Sequence, residues 1–104
     1  MILATSDDIP GSRIIKTLGL VRGSTIRGRN VGRGIIAWLR GLVGGEITEY
    51  TKVIAEAREQ ALDRMIAEAE KLGANAIVAI RFGTAEMMPA AAEIIAYGTA
   101  VVIE

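Results

Sequence analysis

Lys71-Leu72-Gly73-Ala74-Asn75-Ala76-Ile77-Val78-Ala79-Ile80-Arg81-Phe82, followed by Glu93-Ile94-Ile95-Ala96-Tyr97-Gly98-Thr99-Ala100-Val101-Val102-Ile103, sets the fold class of this chain. A helix that stops at glycine feeds directly into a β-branched, apolar strand, and a second long strand closes the chain. Upstream, apolar and small residues recur at helical spacing (Ile54, Ala57, Ala61, Leu62, Met65, Ala69, Leu72), which predicts a long amphipathic helix from about Thr48, a suitable N-cap, to Leu72, with Gly73 at C′. Alternation in the last strand puts Ile95, Tyr97, Thr99, Val101 and Ile103 on one face and Ile94, Ala96, Gly98, Ala100 and Val102 on the other. Both faces avoid water, whereas an antiparallel sheet in a small monomer ordinarily has one polar face. The expectation is a strand covered twice, by a helix on one side and by a neighbouring subunit on the other.

The first half reads as a short strand at 2–5 and a turn through Ser6-Asp7-Asp8-Ile9-Pro10-Gly11. A second strand follows at 13–22, with Ile14, Lys16, Leu18, Leu20 and Arg22 on one face and Ile15, Thr17, Gly19 and Val21 on the other. A Gly/Arg loop is expected from Gly23 to Gly34. A short helix over about 34–42 presents Ile35, Trp38, Leu39 and Leu42 on one stripe and ends at Gly44-Gly45. The pairs Lys52/Glu56 and Arg64/Glu68 stand at i, i+4 on the long helix and are expected to pair. The fold class is therefore α+β: a small antiparallel sheet packed against one long and one short helix, as one domain spanning residues 1–104.

Half of the 104 residues are hydrophobic and 23% are charged, more apolar surface than so small a core can absorb, which again points to a subunit interface. No apolar run approaches the length of a membrane span. No signal peptide is expected, since no charged n-region or apolar h-region precedes the first strand, and the cytoplasm is the expected compartment. Net charge is zero, but residues 1–45 carry seven basic and two acidic side chains while 46–104 carry five and ten. Opposite ends of neighbouring copies would attract.

The chain has no cysteine and no histidine. That removes disulfides, thiolate and imidazole metal ligands, and Ser-His-Asp or Cys-His catalysis, so an enzyme is not expected. Three alternatives survive on residue chemistry. The Gly/Arg loop, with Arg27, Arg29 and Arg33, could hold an anion on backbone amides and guanidinium groups, although it matches neither a P-loop nor a dinucleotide fingerprint. Arg22, Arg27, Arg29, Arg33 and Arg40 could make a nucleic-acid or anionic-surface module in the 22–40 segment, but the domain is not basic overall and has few aromatics for stacking. The carboxylates Glu46, Glu49, Glu56 and Glu59 could bind a hard divalent cation through oxygen alone; a solvated helix face is the ordinary reading of such residues. Met87 and Met88 offer thioethers, although beside Pro89 they read as cover for the core.

Gly44-Gly45-Glu46-Ile47-Thr48-Glu49-Tyr50-Thr51, Glu56-Ala57-Arg58-Glu59-Gln60-Ala61, Arg64-Met65, Leu72-Gly73-Ala74-Asn75-Ala76-Ile77 and Ala96-Tyr97-Gly98-Thr99-Ala100-Val101 together resemble the YbjQ-like family along the whole chain. The resemblance implies a dodecin-type α+β subunit that assembles into a homopentameric ring or a pair of such rings. It also carries a heavy-metal-binding label for a family without an assigned biochemical activity. The label asks for thiolate and imidazole donors, which this sequence lacks, so any metal is expected on carboxylates such as Glu46, Glu49, Glu56 or Glu59, repeated around a five-fold axis.

Overall fold

The computed structural model describes the backbone of residues 1–27, 47–88 and 91–104 and the side chains of 1–26, 54–85 and 93–104. In chain order the elements are β1 (Ile2–Leu3), β2 (Ile14–Arg27), α1 (Ile47–Lys71), β3 (Ala76–Met88) and β4 (Ala91–Ile103). They form one four-stranded sheet in the order β1-β3-β4-β2. β4 is antiparallel to both β3 and β2, while β1 runs parallel to β3. The sheet is therefore mixed, not purely antiparallel as the sequence suggested. The turn after β1 takes the chain to the far edge of the sheet, so β1 and β2 never pair. The proposed short helix at 34–42 lies outside the described residues.

Helix α1 stops as its sequence dictates. Gly73 adopts φ +87°. The Ala74 amide donates to the Ala69 carbonyl (3.1 Å) and the Gly73 amide to Glu70 (3.0 Å), the paired bonds of a Schellman motif. Leu72 was expected on the buried stripe but is half exposed; it belongs to this turn, where the helical period no longer sets its direction. Asn75 then continues the ladder with its side chain. Its Nδ2 donates to the Ile103 carbonyl (2.8 Å), and its Oδ1 accepts from the Ile103 amide (2.7 Å).

The helix seats on β2 and β4 through small residues. Ala57, Ala61, Met65 and Ala69 on α1 are fully buried against Val21, Ile77, Ile80, Ile94, Ala96 and Ala100, with Ile54, Leu62 and Ile66 at the margins. At Gly23 a methyl group would overlap the Ala61 carbonyl and the Met65 amide and stand 2.8 Å from the Arg64 Cβ. Helix backbone thus lies directly on strand backbone. At Gly98 a Cβ would come within 2.8 Å of Ile77 Cγ2 and 3.0 Å of the Val78 carbonyl.

Four register shifts interrupt the strands, the last of them between Glu86 and Met88 on β3. β2 carries register shifts between Ile14 and Lys16 and between Thr17 and Gly19, and Gly19 has φ +121°. Simple alternation therefore fails there: Leu18 and Val21, placed on opposite faces by the period of two, both pack into the helix-side core. β3 bulges between Val78 and Arg81, with Ala79 at φ +55°, a conformation costly for a residue with a Cβ. The bulge turns two amides away from β4, and the N-terminal segment meets them: Ala79 donates to the Ser6 carbonyl (2.8 Å) and Ile80 to Ala4 (3.1 Å). In the turn, the Ser12 amide donates to Ile9 (3.0 Å) across Pro10-Gly11, with Gly11 at φ +87°, a type II turn. Ala4 and Ile9 then cover a second small cluster of Ala76, Val78 and Val101 on the face away from the helix.

β2 was expected to end at Arg22 and give way to the Gly/Arg loop, but it continues to Arg27. Gly23 is a strand residue, selected by the helix above it. Arg64 does not pair with Glu68 as expected. Its guanidinium donates to the Ser24 carbonyl, tying α1 to β2.

Gly23→Ala is expected to lower stability by about 1–3 kcal/mol, read as a decreased urea midpoint. Thr25 is 3% exposed, and among the described residues its Oγ1 has no hydrogen-bond partner. Thr25→Val keeps the shape and removes the orphaned oxygen, so it is expected to raise stability by about 1 kcal/mol in the same assay. A loss there would mean the hydroxyl is satisfied.

Candidate functional site

Two surfaces carry chemistry. The first is the outer face of α1. Glu56, Glu59 and Asp63 are exposed because the alanine stripe occupies the opposite side of the helix. Of the other candidate carboxylates, Glu46 lies outside the described residues, and Glu49 lies in the first turns of α1 with its side chain outside them. Among the described residues no group of three or more carboxylates is placed to hold a metal ion. Glu56 and Glu59 are thus neighbours on one helix face, without the further oxygens that a hard cation takes.

The second surface is the sheet face away from α1. Strand register brings residues together there that are far apart in the chain. Arg22 on β2 stands directly opposite Tyr97 on β4, and Tyr97 stands directly opposite Arg81 on β3. Directly opposed residues share a face, so a phenol lies between two guanidinium groups in one row across three strands. All three side chains are exposed, Tyr97 to 40%. Arg81 is anchored: its Nη1 donates to the Thr5 carbonyl (2.7 Å) and to Ile80 (2.8 Å), leaving Nε and Nη2 free of those bonds. Among the described residues the one ion pair is Arg13–Glu104, at 3.0 Å on the surface, so neither Arg22 nor Arg81 is neutralised by a carboxylate. Leu20, 65% exposed, and Ile26, 57% exposed, lie on the same face.

The Arg-rich loop contributes little that can be placed. Arg27 ends β2 with its side chain outside the described residues, and Arg29, Arg33 and Arg40 lie outside them. Only Arg22, from the basic segment, is seen in a chemical setting. Sequence reading assigned Arg22 and Tyr97 correctly to strand faces but could not bring them together with Arg81, because the pairing register is not written in any one strand.

A family model described as "Putative heavy-metal-binding" matches residues 1–104. The chain is a member of the YbjQ-like family. It is 56% identical over 103 residues to a UPF0145 protein of Methanosarcina acetivorans, covering 99% of this chain and 97% of that one. A UPF0145 protein of Dehalococcoides mccartyi is 54% identical over 104 residues, covering both chains fully. Among solved structures, a protein of unknown function of the DUF74 family from Pediococcus pentosaceus superposes with a TM-score of 0.65 at 18% identity, covering all of this chain and 98% of that one. That likeness supports the α+β fold alone.

The family's metal description does not fit the donors of this YbjQ-like chain. Heavy metals select thiolate and imidazole, and the sequence contains neither. Cadmium and mercury are therefore expected to leave the protein on dialysis, with less than one ion per subunit by elemental analysis; stoichiometric retention would overturn this.

Proposed function

We propose that this YbjQ-like protein is a non-enzymatic, self-assembling subunit in which β2 of one copy adds to β3 of the next, closing a homopentameric ring. The carrying observation is that, among the described residues, two strand edges of the sheet have no strand partner. β1 reaches only the beginning of β3, so no described strand pairs with the outer edge of Arg81–Met88. On the other side of the sheet no described strand pairs with the outer edge of β2. Register aligns the two: Arg22, Tyr97 and Arg81 form one row, and Arg27, Ala92 and Glu86 form another.

Edges at one height add without a rise from copy to copy. Such head-to-tail contact makes a ring when the rotation between copies closes, and a closed ring is the form proposed. From Leu20 onward β2 has no proline and no bulge, the devices that protect an edge strand from pairing. The opposite charge balance of the two halves of the chain acts in the same direction. The shape agrees as well. The radius of gyration is 16.7 Å and the extents are 52 × 24 × 16 Å, against a radius near 13 Å for a compact chain of about 100 residues. Phe82 faces the helix side of the sheet beside Ala96 yet is 47% exposed, because α1 lies over β2 and β4. A neighbour's β2, with its own helix above it, would cover that ring.

The count of five comes from the family resemblance. Within such an assembly a small ligand or a hard cation would meet oxygen donors, with Glu46, Glu49, Glu56 and Glu59 the available carboxylates. Light scattering after size exclusion is expected to give about 55 kDa, five times the 11.0 kDa subunit. Phe82→Glu is expected to shift the protein to smaller species with its helix content kept. A wild-type protein that elutes as an 11.0 kDa monomer at micromolar concentration would overturn the reading.

A further inference from the structure

We propose that the row Arg22–Tyr97–Arg81 binds a nucleotide unit, its base stacked on the Tyr97 ring and its phosphate held by the flanking guanidinium groups. The proposal goes beyond self-assembly, since the row is complete within one subunit. The argument begins with what is missing beside the arginines. Two cations flank one tyrosine on an open sheet face, and no carboxylate among the described residues pairs with either. On the same face the nearest acidic residue along β4 is Glu93, intermediate in exposure. It stands four positions from Tyr97, about 13 Å along the strand. Asp7 and Asp8, in the turn near Arg81, make no ion pair with it. The row is thus a local positive site in a chain of zero net charge.

Geometry then narrows the ligand. Adjacent strands are about 4.8 Å apart, so Arg22 and Arg81 flank the tyrosine at about 10 Å from Cα to Cα. A guanidinium offers a planar fork matched to phosphate oxygens. Arg81 is held in place by its bonds to Thr5 and Ile80, which lowers the ordering cost of using its remaining donors. Tyr97 is open to solvent between them. Inorganic phosphate would use the arginines and leave the ring idle; a nucleoside would use the ring and leave the charges idle. A nucleotide engages both, as at sheet surfaces that combine stacking rings with cationic flanks. Leu20, on the same face one row away, gives the base an apolar border.

The test is a titration of the full-length protein at low salt, followed by calorimetry and amide chemical shifts. Adenosine monophosphate is the main probe, and inorganic phosphate, adenosine and a single-stranded oligoadenylate form the other arms. Saturable binding of the mononucleotide, weakened about tenfold in both Arg22→Gln and Tyr97→Leu and retained in Tyr97→Phe, is the expected result. Oligoadenylate binding with the same losses, at an affinity that rises with length, would assign the nucleotide unit to a strand rather than a free nucleotide. The proposal fails if no saturable binding occurs, or if both variants bind as wild type. It also fails if inorganic phosphate binds as well as the mononucleotide with Tyr97→Leu unaffected. Light scattering on the same variants separates this from assembly: unchanged mass with lost binding supports the site, whatever the subunit count proves to be.

Discussion

The contact of α1 with Gly23 is the constraint from which the rest of the architecture follows. Because β2 has no side chain there, the helix backbone at Ala61 and Met65 settles directly on the strand. The helix face that approaches so closely has to be small, hence alanine at 57, 61 and 69. The core gains closeness at the expense of volume: its largest fully buried side chains are Met65, Ile77, Val21 and Val101. A helix fixed low over β2 and β4 reaches β3 only as far as Ile77 and Ile80. The exposure of Phe82, just beyond them, is a consequence of that placement.

The N-terminal segment supports the opposite face in a different way. Ala79 sits at a positive φ that glycine would adopt more easily, and the structure keeps it there by giving both amides of the bulge a partner in residues 4–6. Arg81, just past the bulge, donates back to Thr5. One local distortion thereby joins the first residues of the chain to β3 and fixes the direction in which Arg81 leaves the sheet. Gly98, across from the bulge, has no room for a Cβ because Ile77, Val78 and Ile80 crowd the site. Distortion, anchor and glycine form one unit.

How much of this is legible in sequence depends on range. Gly73 announces the helix stop because only a residue free of Cβ takes that φ cheaply, and the alanine stripe announces a close helix face. The alternation of β4 is equally plain: Ile94, Ala96 and Ala100 are buried under the helix as their period requires. Gly23 misleads, since glycine among arginines reads as a loop until a helix is seen above it. Leu18 and Val21 mislead because a bulge at Gly19 resets the period, and a bulge has no composition of its own beyond one glycine. The Arg22–Tyr97–Arg81 row is hidden for a more basic reason. It depends on register between three strands separated by up to 75 positions in the chain, and register is set by packing across the sheet.

The chemistry of the open face bears on the family's description. A chain without histidine or cysteine has few ways to act on a ligand: oxygen donors, methionine thioethers, arginine, lysine, aromatic faces and backbone. The described carboxylates are dispersed over the outer helix face, the Asp7-Asp8 turn, Glu93 and Glu104, with no group of three together. The arginines and the tyrosine instead stand together on a sheet, one of them already anchored by backbone carbonyls. A hard cation on α1 would have to recruit ligands from other copies, whereas an anion on the sheet finds its partners within one subunit. Charge and geometry thus set cationic and aromatic groups together on the sheet face and leave the described carboxylates apart, regardless of how many copies assemble.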